Sequence, residues 1–369
     1  MRVPRYNYIH QHGALAEEVA AYFQRLLLEG DFILNGDVTA FEKAFGEWLG
    51  VDHVLGLNSG TDALVLALRA SGIGPGDEVI TQANTFYATV AAIRLCGATP
   101  VLVDAREDDF LIDSAALPQA ATARTRAIIP VHLYGKATPM SAIMSFARAR
   151  DMIVIEDAAQ SHGARSEGRP VGTVGDAGCF SFHPSKNFAA AGDAGALVTR
   201  SPAIADLTRR MRSLGQRSPN EHVVLGINSK IDAIQARLLL LKLPYLDGWN
   251  EARRTVAAWY RERLRDLPVT FQATDGGDEH VYHLFQIRTS ERDRLLAHLV
   301  AAGVDAVVRY PTAIHRQEAF ADLGYPAGSF PVAEALADEL LCLPIRPDMD
   351  VDDVDYVVEA IQAFYGGRS

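Results

Sequence analysis

Lysine is scarce in this chain of 369 residues: of its 35 basic side chains, only Lys43, Lys136, Lys186, Lys230 and Lys242 are lysines. Arginine supplies nearly all the positive charge. A lysine in a sheltered position therefore points to what arginine cannot provide, an amine able to shed its proton and act as a nucleophile. Cysteine is scarcer still. Cys96, Cys179 and Cys342 are odd in number, far apart and without a CxxC pair, so they outline neither a disulfide framework nor a zinc site and read as buried thiols of a reducing compartment. Positive charge is in deficit, with 46 acidic residues against 35 basic ones and a net charge of −11, which argues against a broad nucleic-acid surface. Apolar runs are short. LLLLKLPYL from Leu238 is interrupted by Lys242 and Pro244, well below the roughly 20 residues of a membrane span. The opening MRVPRYNYIHQHGALAEE lacks the apolar stretch of a signal peptide. A cytoplasmic protein with neither a membrane nor a nucleic-acid partner is expected. No metal is expected either, because His162 and His183 lack companions at ligand spacing.

What is present is an ordinary globular composition, 49% hydrophobic and 22% charged, over a length that suits about two to three domains. Helical periodicity from Glu17 to Leu28 and through VTAFEKAFGEWLG forms a helical lead. Short β-rich runs (HVLGL, EVITQ, PVLVD, RAIIPVHLY, IVIEDAA and CFSF) then alternate with the helical TDALVLALRASG, TFYATVAAIRLCG and MSAIMSFARARD. Such alternation predicts an α/β domain with a largely parallel sheet. After GALVT the pattern is helical through IDAIQARLLLLKL to WNEARRTVAAWYRERL. Beyond lie a strand-like YHLFQIRT, a helix ERDRLLAHLVAAG, a strand VDAVVRYP and a last helix DVDDVDYVVEAIQAFY. A large domain over residues 1–246 and a smaller α+β domain over 247–369 are expected.

Three segments carry polar groups with chemical uses. LNSGTDALVLAL sets a glycine-containing turn between a strand and a helix, where backbone N–H groups and the Ser59 and Thr61 hydroxyls suit a phosphate. Taken alone, Ser59 or Thr61 reads first as a plain helix cap. IVIEDAAQSHG closes an apolar strand with Glu156 and Asp157, which alternation sends to opposite faces. One of them alone can meet a site at the C-terminal edge of the sheet, the other reading being a structural acid that caps the next helix. In GCFSFHPSKNF, Pro184 stops the strand just before Lys186. Apolar surroundings push such an amine toward its neutral form, while a surface lysine on a loop is the alternative. Together, a phosphate cradle, an aspartate at a strand end and a lysine on a later loop match what pyridoxal phosphate requires: an anchor, a partner for the pyridine nitrogen and an amine for the aldehyde.

At this point the sequence resembles the DegT/DnrJ/EryC1/StrS family of pyridoxal-phosphate-dependent sugar aminotransferases, of fold type I. The resemblance runs from about Phe32 to Tyr365 and rests on NSGTDAL, ANTFYAT, GATPVLVD, PVHLYG, EDAAQSHGA, FSFHPSKN, GDAGALVT and GINSKIDAIQA, in that order. It implies a large domain with a mainly parallel seven-stranded sheet. It also implies that Lys186 forms the Schiff base, that Asp157 pairs with the pyridine nitrogen, and that Gln160 bonds the phenolic oxygen. Phe86 would stack on the ring, and Gly60, Thr61 and Ser181 would hold the phosphate. Asn228 in GINSK matches a residue that the family supplies from the neighbouring subunit, which implies a homodimer with shared active sites. The implied reaction takes an amino group from glutamate or glutamine, with pyridoxamine phosphate in between, and delivers it to a keto-sugar carried on a nucleoside diphosphate.

Departures from the family pattern bear on the substrate. Many relatives that aminate the sugar 4-position carry a GEGG-like turn where this chain has GDAG at Gly192 to Gly195, which looks more like members acting on 3-keto-6-deoxyhexoses. His183 stands where tyrosine is common, and Arg309, Tyr310 and Pro311 stand where relatives have His-Tyr-Pro. Arg309 suits a pyrophosphate or another anion, or is a surface arginine. Tyr310, His315 and His183 are further candidate sugar contacts. A 4-keto-sugar or an aminocyclitol ketone is the alternative substrate. Dehydrating relatives typically have histidine at the lysine position, so Lys186 weighs against that chemistry. A regulator that kept the fold and cofactor without turnover is the remaining alternative.

Overall fold

The protein is described from a computed structural model covering residues 2–275 and 277–367. Seven strands build the central sheet: β1 His53–Leu57, β2 Glu78–Gln82, β3 Thr99–Val103, β4 Thr125–Ile129, β5 Ile153–Asp157, β6 Ala177–Ser181 and β7 Gly195–Thr199. Their order is β1-β7-β6-β5-β4-β2-β3. Neighbours are parallel except that β7 runs against both β1 and β6. The expected mainly parallel α/β sheet is present. Its strands are apolar throughout because helices cover both faces. Leu55, Leu57, Cys179 and Leu197 pack with Leu64, Leu68 and Ile204. Their strand neighbours Val54, Phe180, Ala196 and Val198 pack the other way, against Phe41, Phe45 and Leu239.

RAIIPVHLY is a strand only over Thr125–Ile129, since Pro130 has no N–H for the ladder. A single bridge of Val131 with Asp157 follows it. The helix Leu246–Leu264 leads to an antiparallel sheet of Thr270–Phe271, Phe285–Arg288 and Leu340–Leu343, with helices Arg292–Ala301 and Val351–Gly366. That long helix serves both cores, with Leu246 beside Phe180 and Phe182 in one and Val256, Tyr260 and Leu264 in the other. Val3 from the N-terminal segment also joins the second core. We propose the domain boundary at 246/247, where this helix begins. Among the described residues, no helix is long and apolar enough to cross a membrane.

One expected strand is absent. VDAVVRYP contributes two isolated bridges, Val304 with Val3 and Val307 with Cys342, and Tyr310 turns the chain with a left-handed φ of 60°. That conformation is uncommon for a bulky side chain and interrupts extended structure. The third strand of the small sheet is instead LLCL, Leu340–Leu343, a buried run whose lack of alternation hid it.

Beneath the sheet, Glu156 organises the end of β5. Its Oε2 accepts a hydrogen bond from Gly172 N at 2.8 Å, and its Oε1 accepts from Val174 N and Gly175 N, each at 2.7 Å. Thr138 N donates to His132 Nδ1 at 2.9 Å, which leaves Nε2 to carry the proton toward Glu156 Oε2, 3.0 Å away. Burial pushes this carboxyl up, but the bonds from His132 and the backbone outweigh it and hold the group below the usual range. Removing the carboxylate strands buried donors. Glu156→Leu is therefore expected to lower the unfolding free energy by about 3–5 kcal/mol, read by urea unfolding. A loss below about 1 kcal/mol, the size of an ordinary substitution, would show that the network does not hold β5.

Candidate active site

With Glu156 turned under the sheet, alternation turns Asp157 to the opposite side. There, the C-terminal ends of β5 and β6, the start of the helix Gly60–Ala70 and the turn after β2 enclose a cavity of about 450 Å³. This is the usual place for a ligand in an open α/β sheet.

At one end Ser59, Gly60, Thr61 and Ser181 line the cavity. Ser59 caps the helix, its hydroxyl accepting from Asp62 N at 3.0 Å, so the capping role is real. It leaves the first backbone N–H groups and the Thr61 and Ser181 hydroxyls as an anion-binding set at the positive end of the helix. The turn is tight. A Cβ on Gly60 would lie 2.8 Å from Ser181 Cβ, and one on Gly195, the last glycine of GDAG, 2.3 Å from the Ser59 backbone.

Asp157 is buried in the cavity wall. Thr89 Oγ1 donates to its Oδ2 at 2.8 Å, and Ala159 N donates to its Oδ1 at 3.2 Å. Burial pushes this carboxyl above the usual range, with the Thr89 bond opposing. It thus sits ready for a cationic N–H partner.

Lys186 is partly covered in the same cavity. Burial pulls its amine down from 10.5 to about 8, opposed by the charge of Asp157 and assisted by that of Arg309. The loop is pinned around it. Lys186 N donates to His183 O at 2.8 Å, and Asn187 Nδ2 donates to Val281 O at 2.8 Å and to Asn250 Oδ1 at 3.2 Å. The buried Lys242 Nζ donates to Ala189 O at 2.5 Å.

Gln160 has its amide oriented by the protein: Tyr134 N donates to Oε1 at 2.7 Å, and Nε2 donates to the Tyr310 hydroxyl at 2.7 Å. The half-exposed Phe86 lies 5.7 Å from the Tyr310 ring, and Arg309 adjoins them in the wall. His183 is exposed at the rim, its Nδ1 2.9 Å from Ser185 Oγ.

Two expected residues lie elsewhere. Asn228 lines an adjoining depression with Asn58, Lys230 and Gln235, which shares Ser59 and Asp193 with the cavity. His315 is not among the residues that line the cavity. It is buried, with Nε2 2.9 Å from Glu334 Oε1 and its ring edge-on to Phe330 at 4.9 Å. Its other ring nitrogen, the buried Nδ1, has no hydrogen-bond partner among the described residues.

Other residues are brought in that the sequence reading missed. Tyr6 and Tyr8 line the cavity because Arg5 pairs with Asp305 at 2.9 Å and Asn7 Nδ2 donates to Asp348 at 2.6 Å. Those contacts span the chain, and no local pattern announces them. Thr89 lies in the first turn of a helix that the sequence does show, but its aim at Asp157 needs tertiary packing. His283 and Asp193 complete the lining.

The residues present fit pyridoxal phosphate. The helix start meets a phosphate, the buried Asp157 carboxylate meets a ring N–H, and the lowered Lys186 amine meets an aldehyde. The amine also makes a pH prediction. Between pH about 8 and 10.5 the unfolded chain holds a proton that folded Lys186 has lost, so this group's contribution to stability rises with pH across that window. Below about 8 both states are charged, and the folded state bears the burial cost in full. Cofactor-free Lys186→Met is therefore expected to be more stable than the cofactor-free parent at pH 7, with a margin that shrinks by pH 10.5. Paired urea titrations read it, and a margin that stays constant with pH would contradict it.

Comparison with known proteins gives the site its context. The sequence model of the DegT/DnrJ/EryC1/StrS aminotransferase family matches residues 14–362. A pleiotropic regulatory protein of Geobacillus stearothermophilus is 42% identical, over 99% of each chain. The dTDP-3-amino-3,4,6-trideoxy-alpha-D-glucose transaminase of Streptomyces venezuelae is 40% identical, over 98% of this chain and 96% of that one. The crystal structure of S. venezuelae DesV in complex with a ketimine intermediate is similar with a TM-score of 0.95 and 40% identity, covering 98% of each chain.

Proposed function

The chain belongs to the DegT/DnrJ/EryC1/StrS aminotransferase family and works with pyridoxal phosphate, and on that premise we propose that it moves an amino group from glutamate or glutamine to a nucleoside-diphosphate-linked 3-keto-6-deoxyhexose. The observation that carries this reading is the meeting in one cavity of a lysine amine lowered to about 8 and a buried aspartate. A relative's named product, a 3-amino sugar on dTDP, supports the position and the carrier. The GDAG turn at Gly192 to Gly195, in place of a GEGG-like one, agrees with the 3-position.

The bound cofactor supplies an electron-accepting ring and a carbonyl carbon that carries nitrogen between the two substrates. The protein supplies the rest. Gly60, Thr61 and Ser181 would anchor the phosphate, Phe86 would cover a ring face, and Gln160 would meet the phenolic oxygen. Asp157 would keep the ring nitrogen protonated. Lys186 would hold the cofactor through its amine, and that amine, when free, would take the proton from the donor's α-carbon. On the second substrate Lys186 returns a proton to the sugar carbon. His183 and Tyr310 face the sugar. Asn228 serves the site of the neighbouring subunit, so the working unit is a homodimer. We set the reaction in the cytoplasm, in keeping with three free, buried cysteines.

Mixing the purified protein with glutamate or glutamine tests the reading, since the cofactor absorbance should change to that of the pyridoxamine form. A panel of nucleotide-linked 3-keto-sugars, 4-keto-sugars and an aminocyclitol ketone should then restore the starting spectrum, fastest with the 3-keto member. One relative's name favours a second reading, a regulator without turnover. An unchanged spectrum with every amino donor would select it.

A further inference from the structure

Arg309 is left without an acidic partner in the cavity wall, and we propose that it receives a carboxylate carried by a substrate at the reacting centre, the amino donor's α-carboxylate in every turnover. The inference rests on the aminotransferase reading. Arg309 is partly buried and lines the cavity beside Lys186 and Tyr310. Among the described residues its guanidinium forms no ion pair and donates only to the Tyr6 hydroxyl, 3.5 Å from Nη2, at the outer limit of a hydrogen bond. Carboxylates on the neighbouring segments are engaged: Asp305 pairs with Arg5 at 2.9 Å, and Asp348 and Asp353 pair with Arg346 at 3.1 and 2.6 Å. Of the acids lining the cavity, Asp157 faces Thr89, and Asp193 is exposed where the second depression adjoins. His283 lines the same cavity, and its buried Nδ1 has no hydrogen-bond partner.

Charge accounting then leaves one cation over. Once Lys186 is bonded to the cofactor, Asp157 faces the ring nitrogen and the helix start faces the phosphate, so Arg309 alone remains unmatched. A planar guanidinium with unmet N–H groups suits a two-oxygen anion. Position selects among anions. A donor's α-carboxylate is bonded directly to the carbon whose proton Lys186 removes, so its receptor must stand beside Lys186. A diphosphate on C1 of a 3-keto-sugar lies two ring carbons and an oxygen away from the reacting carbon. A carboxylate on the acceptor sugar is the other possible source of the same chemistry.

The test separates the two half-reactions in Arg309→Met, Arg309→Lys and the parent, by stopped-flow absorbance. Arg309→Met should raise the glutamate KM about 10- to 100-fold with a smaller change in kcat, and Arg309→Lys should recover part of the loss. Cofactor affinity and the rate with a 3-keto-sugar nucleotide that lacks a carboxylate should hold. Calorimetry with glutarate, a dicarboxylate that cannot react, should show its Kd rise by a similar factor. A loss confined to acceptors that carry a carboxylate would support the carboxylate site with the sugar as its source. Loss of cofactor affinity, an equal loss with acceptors that have and that lack a carboxylate, or no change in either arm would overturn the proposal. If the parent responds to no amino donor, the aminotransferase reading fails by itself, and an unaltered glutarate Kd in Arg309→Met then decides against Arg309 independently.

Discussion

Lys186→Ala is expected to remove the cofactor that borohydride traps on the protein and to slow turnover by at least about 10³-fold, the scale on which a positioned acid–base group acts. The reason is positional. Lys43 lies on an exposed helix face 3.7 Å from Glu47, and Lys136 pairs with Glu279 at 3.1 Å. Lys242 is buried against Ala189 O, and Lys230 lines the adjoining depression. Lys186 is the lysine that lines the cavity, so no neighbour takes its place. Arg309 and Asp157 keep the amine between two opposing charges, and burial decides the outcome by lowering it to about 8. Near neutral pH a useful fraction is then uncharged and able to attack a carbonyl. Lys186→Arg separates charge from nucleophilicity. It restores the positive charge but should form no trapped adduct. A small primary amine added to Lys186→Ala should return part of the lost rate, because what is missing is a base and not a fold. A trapped adduct that persists in Lys186→Ala would assign the role to a different lysine.

Much of this site was legible in the sequence where local chemistry decides it. Strand alternation separates Glu156 from Asp157, and the structure turns Glu156 onto His132 and three backbone N–H groups while Asp157 lines the cavity. Pro184 ends the β6 register before Lys186, and the rarity of lysine makes that position conspicuous. Six of the seven strands are short β-rich runs that the sequence marks, so their existence is readable even where their ends are not, while Gly195–Thr199 is the seventh. What stayed hidden depends on contacts distant in sequence. Tyr6 reaches the cavity through the pairing of Arg5 with Asp305. The expected strand VDAVVRYP gives way where Tyr310 takes a left-handed turn, and the unmarked LLCL occupies the sheet instead. His315 has its Nε2 against Glu334 and its ring against Phe330, partners 19 and 15 residues further along the chain. Spacing places a residue on the chain, and packing then decides which way it faces.

Asp157→Asn is expected to retain the cofactor and its bond to Lys186 while the half-reaction with glutamate slows by roughly 10²- to 10⁴-fold. That range is the kinetic equivalent of the about 3–5 kcal/mol lost when one member of a buried ion pair is removed. The carboxylate is costly where it stands. Burial raises it, and among the described residues the Thr89 hydroxyl and the Ala159 N–H hold it by hydrogen bonds. A protonated ring nitrogen repays that cost and is itself stabilised. The amide of asparagine keeps the shape but has no charge with which to hold the proton. The phosphate end and the Lys186 bond are untouched, which is why binding should survive. Thr89→Val gives a graded control. It leaves the charge and removes one bond of 2.8 Å, and should cost about tenfold, in line with one hydrogen bond to a charged group. The discriminating measurement is single-turnover absorbance with α-deuterated glutamate. If Asp157 acts through the ring, the isotope effect should grow in Asp157→Asn, because proton removal becomes the slow step. An unchanged rate, or a slowed rate that comes with loss of cofactor, would take Asp157 out of this role.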